Sequence, residues 1–216
     1  DDVFNGYSAI NTSIHLSKKE GEIPKAFSGE IVIQLTGQAI ADSLSGGKLF
    51  QKDVSQHNFC VLDPKGCCKS EWGCAQALGS GFGDYLAGMM FPEGARLGET
   101  LAGAPEGQKI CSIPRDLVAL VSRSKTQVFN ACEAKGRAAI LGSWYASLWW
   151  KLRSESAARE TAAARDIDIL FFEHYKTLDS KSTFADAKAA ALAAAAKYKN
   201  GLYVTSVTAV FSGAGL

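Results

Sequence analysis

The sequence predicts an α+β fold in which a small antiparallel sheet accompanies a mainly helical, bundle-like body. Glycine and proline separate the chain into two halves. Sixteen of the 21 glycines precede residue 108, and all five prolines lie at or before Pro114. Because both residues disfavour helix interiors, we expect strands and loops in residues 1–112 and helices in residues 113–216. We expect the two halves to form one compact domain.

Four runs of strand-forming residues predict the sheet. Residues 10–17 and 30–35 alternate in side-chain character, as half-buried strands do, and together they predict an N-terminal hairpin. Residues 57–62 predict a third strand that enters a cysteine-rich loop. Residues 202–211 (LYVTSVTAVF) are β-branched and aromatic, and they predict a C-terminal strand that pairs with the hairpin.

The Gly-rich stretch from Gly79 to Gly107 predicts a short helix over residues 84–91 within irregular structure. Its Gly79-x-Gly81-x-Gly83 pattern lacks the Lys-Ser/Thr pair of a phosphate-binding loop, so we interpret it as a turn.

Beyond Pro114 the pattern is helical. We expect a helix from Pro114 to about Ala134, a second from Arg137 through Leu152, and a third that continues towards Leu178 in a three- or four-helix bundle. In the last predicted helix, nine of the twelve residues 185–196 are alanine. Ser182 or Thr183 is expected to cap it, and Asn200-Gly201 to end it.

The cysteines predict an oxidising compartment. An even number in a chain that begins without Met favours three disulfides and a removed leader. We favour an internally bridged loop between Cys60 and Cys74 and a bridge from Cys111 to Cys132, with the remaining pairing left open. The predicted disulfide-forming residues are Cys60, Cys67, Cys68, Cys74, Cys111 and Cys132.

Other signals near the cysteines are weaker. The cysteine spacing does not match the paired knuckles of zinc sites, so no metal site is predicted. Asn11-Thr12-Ser13 fits the N-glycosylation acceptor pattern, which makes Asn11 a candidate glycan site. We therefore expect a secreted, periplasmic or organelle-lumen protein.

Carboxylates of the Gly-rich region are the candidate catalytic groups. Glu71 and Asp84 lie near the aromatic residues Trp72, Phe82 and Tyr85 in the sequence. A glycoside hydrolase needs two carboxylates across a cleft, often with aromatic sugar platforms. No serine-nucleophile motif is present, and the three histidines show no metal-binding spacing.

The most unusual segment is an aromatic run near the middle of the predicted second helix. Three interpretations compete for Trp144, Tyr145, Trp149 and Trp150: burial in the core, a contact surface for a partner, and shallow membrane contact. The apolar run over residues 138–150 is too short to span a bilayer, so no transmembrane segment is predicted.

These observations favour a non-catalytic extracytoplasmic structural or binding subunit. It would contact a protein partner or a second copy through the aromatic-rich helix. A net charge of +1 offers no basic excess for nucleic acid, and no cofactor motif is present. The alternatives are a small secreted carbohydrate-active hydrolase and a membrane-active toxin.

Overall fold

A computed structural model describes residues 6–8, 13–15, 29–50, 73–91, 109–110, 113–131 and 137–216. These residues form eight α-helices, one turn of 3-10 helix and four strands of two or three residues. In chain order the elements are β1 (Gly6–Ser8), β2 (Ser13–His15), α1 (Gly29–Leu44), α2 (Gly73–Met90), β3 (Lys109–Ile110), β4 (Ile113–Pro114), α3 (Leu117–Leu120), α4 (Lys125–Asn130), α5 (Arg137–Arg159), α6 (Thr161–Tyr175), α7 (Phe184–Lys197), the 3-10 turn (Tyr198–Gly201) and α8 (Val204–Gly213).

Helix α5 is the centre of the packing. It contacts α2, α3, α4, α6 and α8, and every residue from 141 to 150 is buried. Helix α1 packs against α2, and α7 packs against α6 and α8. The aromatic run makes this part of α5 apolar around its circumference. The helix can therefore be buried on all sides there.

The predicted α+β class is wrong, because the described residues are predominantly helical. Their strands form only two small antiparallel ribbons: β1 pairs with β2, with Tyr7 opposite Ile14, and β3 pairs with β4. The predicted hairpin partner, residues 30–35, lies in α1, and the predicted C-terminal strand lies in α8.

The C-terminal segment shows why the strand prediction failed. Val207, Val210 and Phe211 are buried at spacings of three and four residues, which place them on one face of a helix. Tertiary packing of that face outweighs the preference of β-branched residues for strands.

The Gly-rich region is also more regular than predicted. Helix α2 runs unbroken from Gly73 to Met90, so residues 79–83 are helical and do not form a turn. A Cβ atom at Gly83 would lie closer than 3.0 Å to the Gln34 carbonyl of α1. Backbone-to-backbone packing therefore offsets the helix-breaking tendency of Gly81 and Gly83.

The single helix predicted from Pro114 to Ala134 is instead two short helices. Pro114 ends β4, and the Asp116 carboxylate caps α3 by accepting hydrogen bonds from the Val118 and Ala119 amides. Ser124 then begins α4 with a reciprocal capping box to Gln127. Two separate N-caps within the segment explain why it forms two helices and not one.

The helices predicted after Gly136 are confirmed, with a break at Glu160 between α5 and α6. Thr183 caps α7 through a capping box with Asp186. Helix α7 ends at Lys197, and the predicted stop at Asn200-Gly201 falls in the 3-10 turn that follows it, where Lys199, Asn200 and Gly201 all have positive φ angles. In the part of the chain described here, no helix has the length and apolar character needed to cross a membrane.

Candidate functional site

The candidate catalytic carboxylate Asp84 belongs to a buried polar cluster. Its side chain is fully buried, and one oxygen forms an ion pair with Nη2 of Arg115. The Ser143 hydroxyl donates a hydrogen bond to the other oxygen. Arg115 also donates from Nε to Ser143 Oγ at 3.1 Å and from Nη1 to Gln34 Oε1 at 3.4 Å. The cluster thus joins α1, α2, α5 and the residue after β4.

The electrostatics of this cluster are those of a structural ion pair. Burial raises the pKa of Asp84, while the Arg115 guanidinium and the hydrogen bonds from Arg115 and Ser143 oppose that rise. A general acid or base must reach its substrate, and the Asp84 side chain has no exposed surface. Its position therefore favours a role in packing α2 against its neighbours.

A second buried cluster surrounds His174 of α6. The Tyr145 hydroxyl and His174 Nε2 lie 2.9 Å apart, and the Trp149 ring stacks on the imidazole at a centroid distance of 4.7 Å. Burial lowers the pKa of His174 to about 3 and raises that of Tyr145. The imidazole is therefore neutral at physiological pH and serves as a hydrogen-bonding core residue.

The four aromatic residues singled out in the sequence all lie in the core. Trp144, Tyr145 and Trp149 have no exposed surface, and Trp150 is 8% exposed. Tyr145 stacks on Phe184 at 5.3 Å, which ties α5 to the start of α7. These side chains organise the interior around α5.

The structure adds one opening that the sequence did not indicate. A groove of about 320 Å³ lies between residues 121–127, one side of α5 and the C-terminal half of α8; we call it the α5–α8 groove. Arg123 and Lys151 line it together with the apolar residues Leu148 and Val210. The contributing residues are far apart in sequence, so only the fold brings them together.

The sequence also missed the partners of Asp84. Arg115, Ser143 and Gln34 come from three separate segments and carry no shared motif. One signal was present: a single carboxylate within the apolar stretch around Phe82 and Tyr85 requires a buried partner. That signal predicts a cation nearby without saying which one.

Several candidate residues lie outside the described residues: Asn11, Glu71, Cys60, Cys67, Cys68, Cys111, Cys132 and the strand predicted over residues 57–62. Cys74 lies in α2, where only its backbone is described. The disulfides and the glycan therefore remain predictions. Within the described ranges, no group of three or more His, Cys, Asp or Glu side chains could hold a metal ion.

Comparisons with known proteins identify no relative. No family model, no curated protein and no solved structure matches the chain.

Proposed function

We propose that this chain is a non-catalytic structural or binding subunit of an extracytoplasmic compartment. The observation that carries this proposal is the state of Asp84. Among the described residues it is the one candidate catalytic carboxylate, and it is fully buried with both oxygens bound by Arg115 and Ser143. Its partners stabilise a helix contact and leave no group free to act on a substrate.

The outer surface near the C-terminus supports contact with another protein. Helix α8 contains no charged residue, and Leu202, just before it, is 63% exposed. Protein interfaces are depleted of charged residues at their centres. The partner would be a different protein or a second copy, and the aromatic helix α5 would support these surfaces from inside.

The compartment rests on the sequence alone. An even number of cysteines, six in all, favours an oxidising environment, where disulfides persist. The hydrolase alternative receives no support from Asp84, because that carboxylate is buried.

Native mass spectrometry of the protein isolated from its natural source tests both parts of the proposal. We expect a complex of fixed stoichiometry that is heavier than the 22.9 kDa chain. Reduction of the denatured chain should add about six mass units if three disulfides are present. Crosslinks mapped in the same sample would identify the contacting helices.

A matched variant separates assembly from catalysis. The double variant Asp84→Leu/Arg115→Met removes the carboxylate together with its buried cation, so the recombinant full chain should still fold and assemble. A strictly monomeric protein that turns over a glycan substrate, and loses that turnover in this double variant while remaining folded, would contradict the proposal.

A further inference from the structure

Helices α5 and α6 are separated by a single residue. Glu160 follows Arg159, the last residue of α5, and precedes Thr161, the first residue of α6. Its backbone is extended, with a φ of −157° and a ψ of 128°. Residues 157–162 are all exposed, so this join lies at the surface and its geometry is not fixed by the core.

The local sequence contains no residue that ends a helix at the join. Residues 154–165 (SESAARETAAAR) include neither glycine nor proline, and five of them are alanine. Glu160 forms no side-chain cap hydrogen bond at the start of α6. Side-chain caps do begin α3, α4 and α7, at Asp116, Ser124 and Thr183. Local propensity therefore favours one continuous helix, and the break depends on the contacts that α6 makes with α5 and α2.

The contacts between α5 and α6 pair residues at nearly equal distances on the two sides of Glu160. Close to the join, Arg153 donates from Nε to Asp168 Oδ1 at 2.9 Å. Farther from it, the Tyr145 hydroxyl lies 2.9 Å from His174 Nε2. The two helices are therefore antiparallel. The same pairs can form between two chains if a twofold axis passes close to Glu160.

The other contacts of α6 are also independent of which chain supplies it. The Tyr85 hydroxyl of α2 donates to Asp168 Oδ1 at 2.7 Å, and the Tyr175 hydroxyl donates to the Leu78 carbonyl at 2.6 Å. Each contact requires only that α6 lies in its present place against α2 and α5. An exchange of α6 between chains would keep these contacts and change the join alone.

We infer that two copies of this chain exchange α6–α8, with α5 and α6 of each copy joined through Glu160 into one continuous helix. The α6 of each copy would then pack on the α5 of the other, in the antiparallel register described above. Joining the helices gives intrahelical partners to the last carbonyls of α5 and the first amides of α6. This inference rests on the proposed function, because it names a second copy as the partner of the subunit.

A proline at the join tests the exchange. The full chain would be refolded from urea at a series of concentrations and its mass measured by light scattering during gel filtration. We expect a dimer of the 22.9 kDa chain whose fraction rises with concentration. Thr161→Pro fits the hairpin, since proline is favoured at the first helical position and Glu160 is already extended. It should weaken dimerisation at least about a hundredfold, because it interrupts both continuous helices of the dimer.

Two further variants are controls for the proline. Lys125→Pro is matched to it, because Lys125 is the first residue of α4 and Ser124 before it is also extended. This variant should dimerise as the wild type does. Thr161→Ala improves helix propensity at the join, so it should leave the dimer fraction unchanged or raise it.

A distance within one chain identifies the exchanged form directly. Spin labels at the exposed positions Lys151 and Glu173 would be carried by a non-canonical amino acid, since the six cysteines would react with thiol labels. Excess unlabelled chain restricts the measurement to one copy of each dimer. The two backbones should be about 33 Å apart along a continuous helix and about 12 Å apart in the hairpin.

The outcomes that overturn the exchange differ from those that overturn the proposed function. A chain that stays monomeric at every concentration, or a dimer that Thr161→Pro leaves intact, contradicts the exchange. So does a dimer in which the labelled positions remain about 12 Å apart, because its copies would meet through their surfaces. A heavier complex in the native sample would then leave the proposed function standing. An exchanged recombinant dimer, with only a monomer in the native sample, would contradict the proposed function and not the exchange.

Discussion

Glycine and alanine bring helices together in different ways in this protein. Between α1, α2 and α5, glycines such as Gly83 and Gly142 place backbone atoms of neighbouring helices in contact. In α7, the core face is instead formed by Ala187, Ala191 and Ala195. The glycine contacts leave no space for a side chain, whereas alanine fills its own space and favours the helix itself.

The two regions also hold their carboxylates differently. Asp84 lies in the deep glycine-packed region, and burial raises its pKa. Asp166 lies below the surface near α7, where burial also raises its pKa, but hydrogen bonds from Lys199, Tyr203 and Tyr198 outweigh that effect and lower it. Asp166 accepts from three residues and incurs a smaller burial penalty than Asp84, so both differences lower its pKa relative to that of Asp84.

Loss of Arg115 should produce the largest effect. Arg115→Met leaves the Asp84 carboxylate buried without its cation, and we expect a loss of about 3–5 kcal/mol in the free energy of unfolding. Urea denaturation followed by circular dichroism would measure it.

The double variant Asp84→Leu/Arg115→Met is the control for that experiment. An apolar pair of similar volume removes the uncompensated charge, so the double variant should be more stable than Arg115→Met alone. A single variant that loses less than about 1 kcal/mol would show that water reaches Asp84 and that the region is not deeply buried.

A methyl group in the glycine contact should produce the next largest effect. Gly83→Ala places a Cβ closer than 3.0 Å to the Gln34 carbonyl, and we expect a loss of about 2–3 kcal/mol despite the better helix propensity of alanine. Gly213→Ala in α8 is the matched control, because no atom lies within 4 Å of its added Cβ.

Gly213→Ala should leave stability unchanged or raise it by up to about 1 kcal/mol. Thermal unfolding of the two variants in parallel would measure the difference. Equal effects at the two positions would mean that the helices can separate at little cost and that the glycine contact is not close.

The same contrast explains what the sequence could predict. The alanine-rich helix α7 and its Thr183 cap were predictable, and so was the left-handed turn at Asn200-Gly201 that follows it, because local propensity and tertiary packing agree there. In α2 they disagree: Gly81 and Gly83 weaken the helix locally, and only their contacts with α5 and α1 favour it. No pattern within α2 itself could reveal that.

The buried clusters and the groove likewise depend on contacts between segments that are distant in the sequence. The aromatic residues of α5 were identified from the sequence, but their burial depends on α7 and α8, which supply Phe184 and Phe211. Arg115 and the α5–α8 groove could not be predicted, because their partners are brought together only by the fold.

Acid should affect the buried cluster around His174 before it affects the surface carboxylates. His174 is neutral in the fold down to about pH 3, whereas an unfolded histidine binds a proton below about pH 6.5. The unfolded chain therefore gains a proton as the pH falls through this window, and His174 alone should lower stability by about 2 kcal/mol from pH 7 to pH 5.

His174→Gln keeps a neutral hydrogen-bonding group beside Tyr145 and removes this titration. Urea unfolding at several pH values between 4.5 and 7 should give a shallower dependence on pH for the variant than for the wild type. The raised pKa of Asp84 acts in the opposite direction in both proteins, so their difference reports His174. Parallel curves would indicate that the folded protein also binds a proton at His174 in this range.

Removal of the Asp166 charge should have the smallest effect. The carboxylate accepts hydrogen bonds from Tyr198 at 2.8 Å, Lys199 at 2.5 Å and Tyr203 at 2.6 Å, and it holds the 3-10 turn against α6. Asp166→Asn keeps one acceptor oxygen and the shape of the side chain, so we expect a loss of about 1 kcal/mol at pH 7.

The pH dependence of the stability lost in Asp166→Asn extends the comparison with Asp84. Because the folded pKa of Asp166 lies below 3.8, its contribution is present above that pH and is lost as the pH falls towards the lowered value. Wild type and Asp166→Asn should therefore converge in stability below about pH 3.8, when unfolding is followed by urea titration. Tyr198→Phe is the control, since it removes one hydroxyl and retains the carboxylate. If Asp166→Asn cost as much as Arg115→Met, the surroundings of Asp166 would depend on its charge as strongly as those of Asp84 do, and the two carboxylates would not differ in this respect.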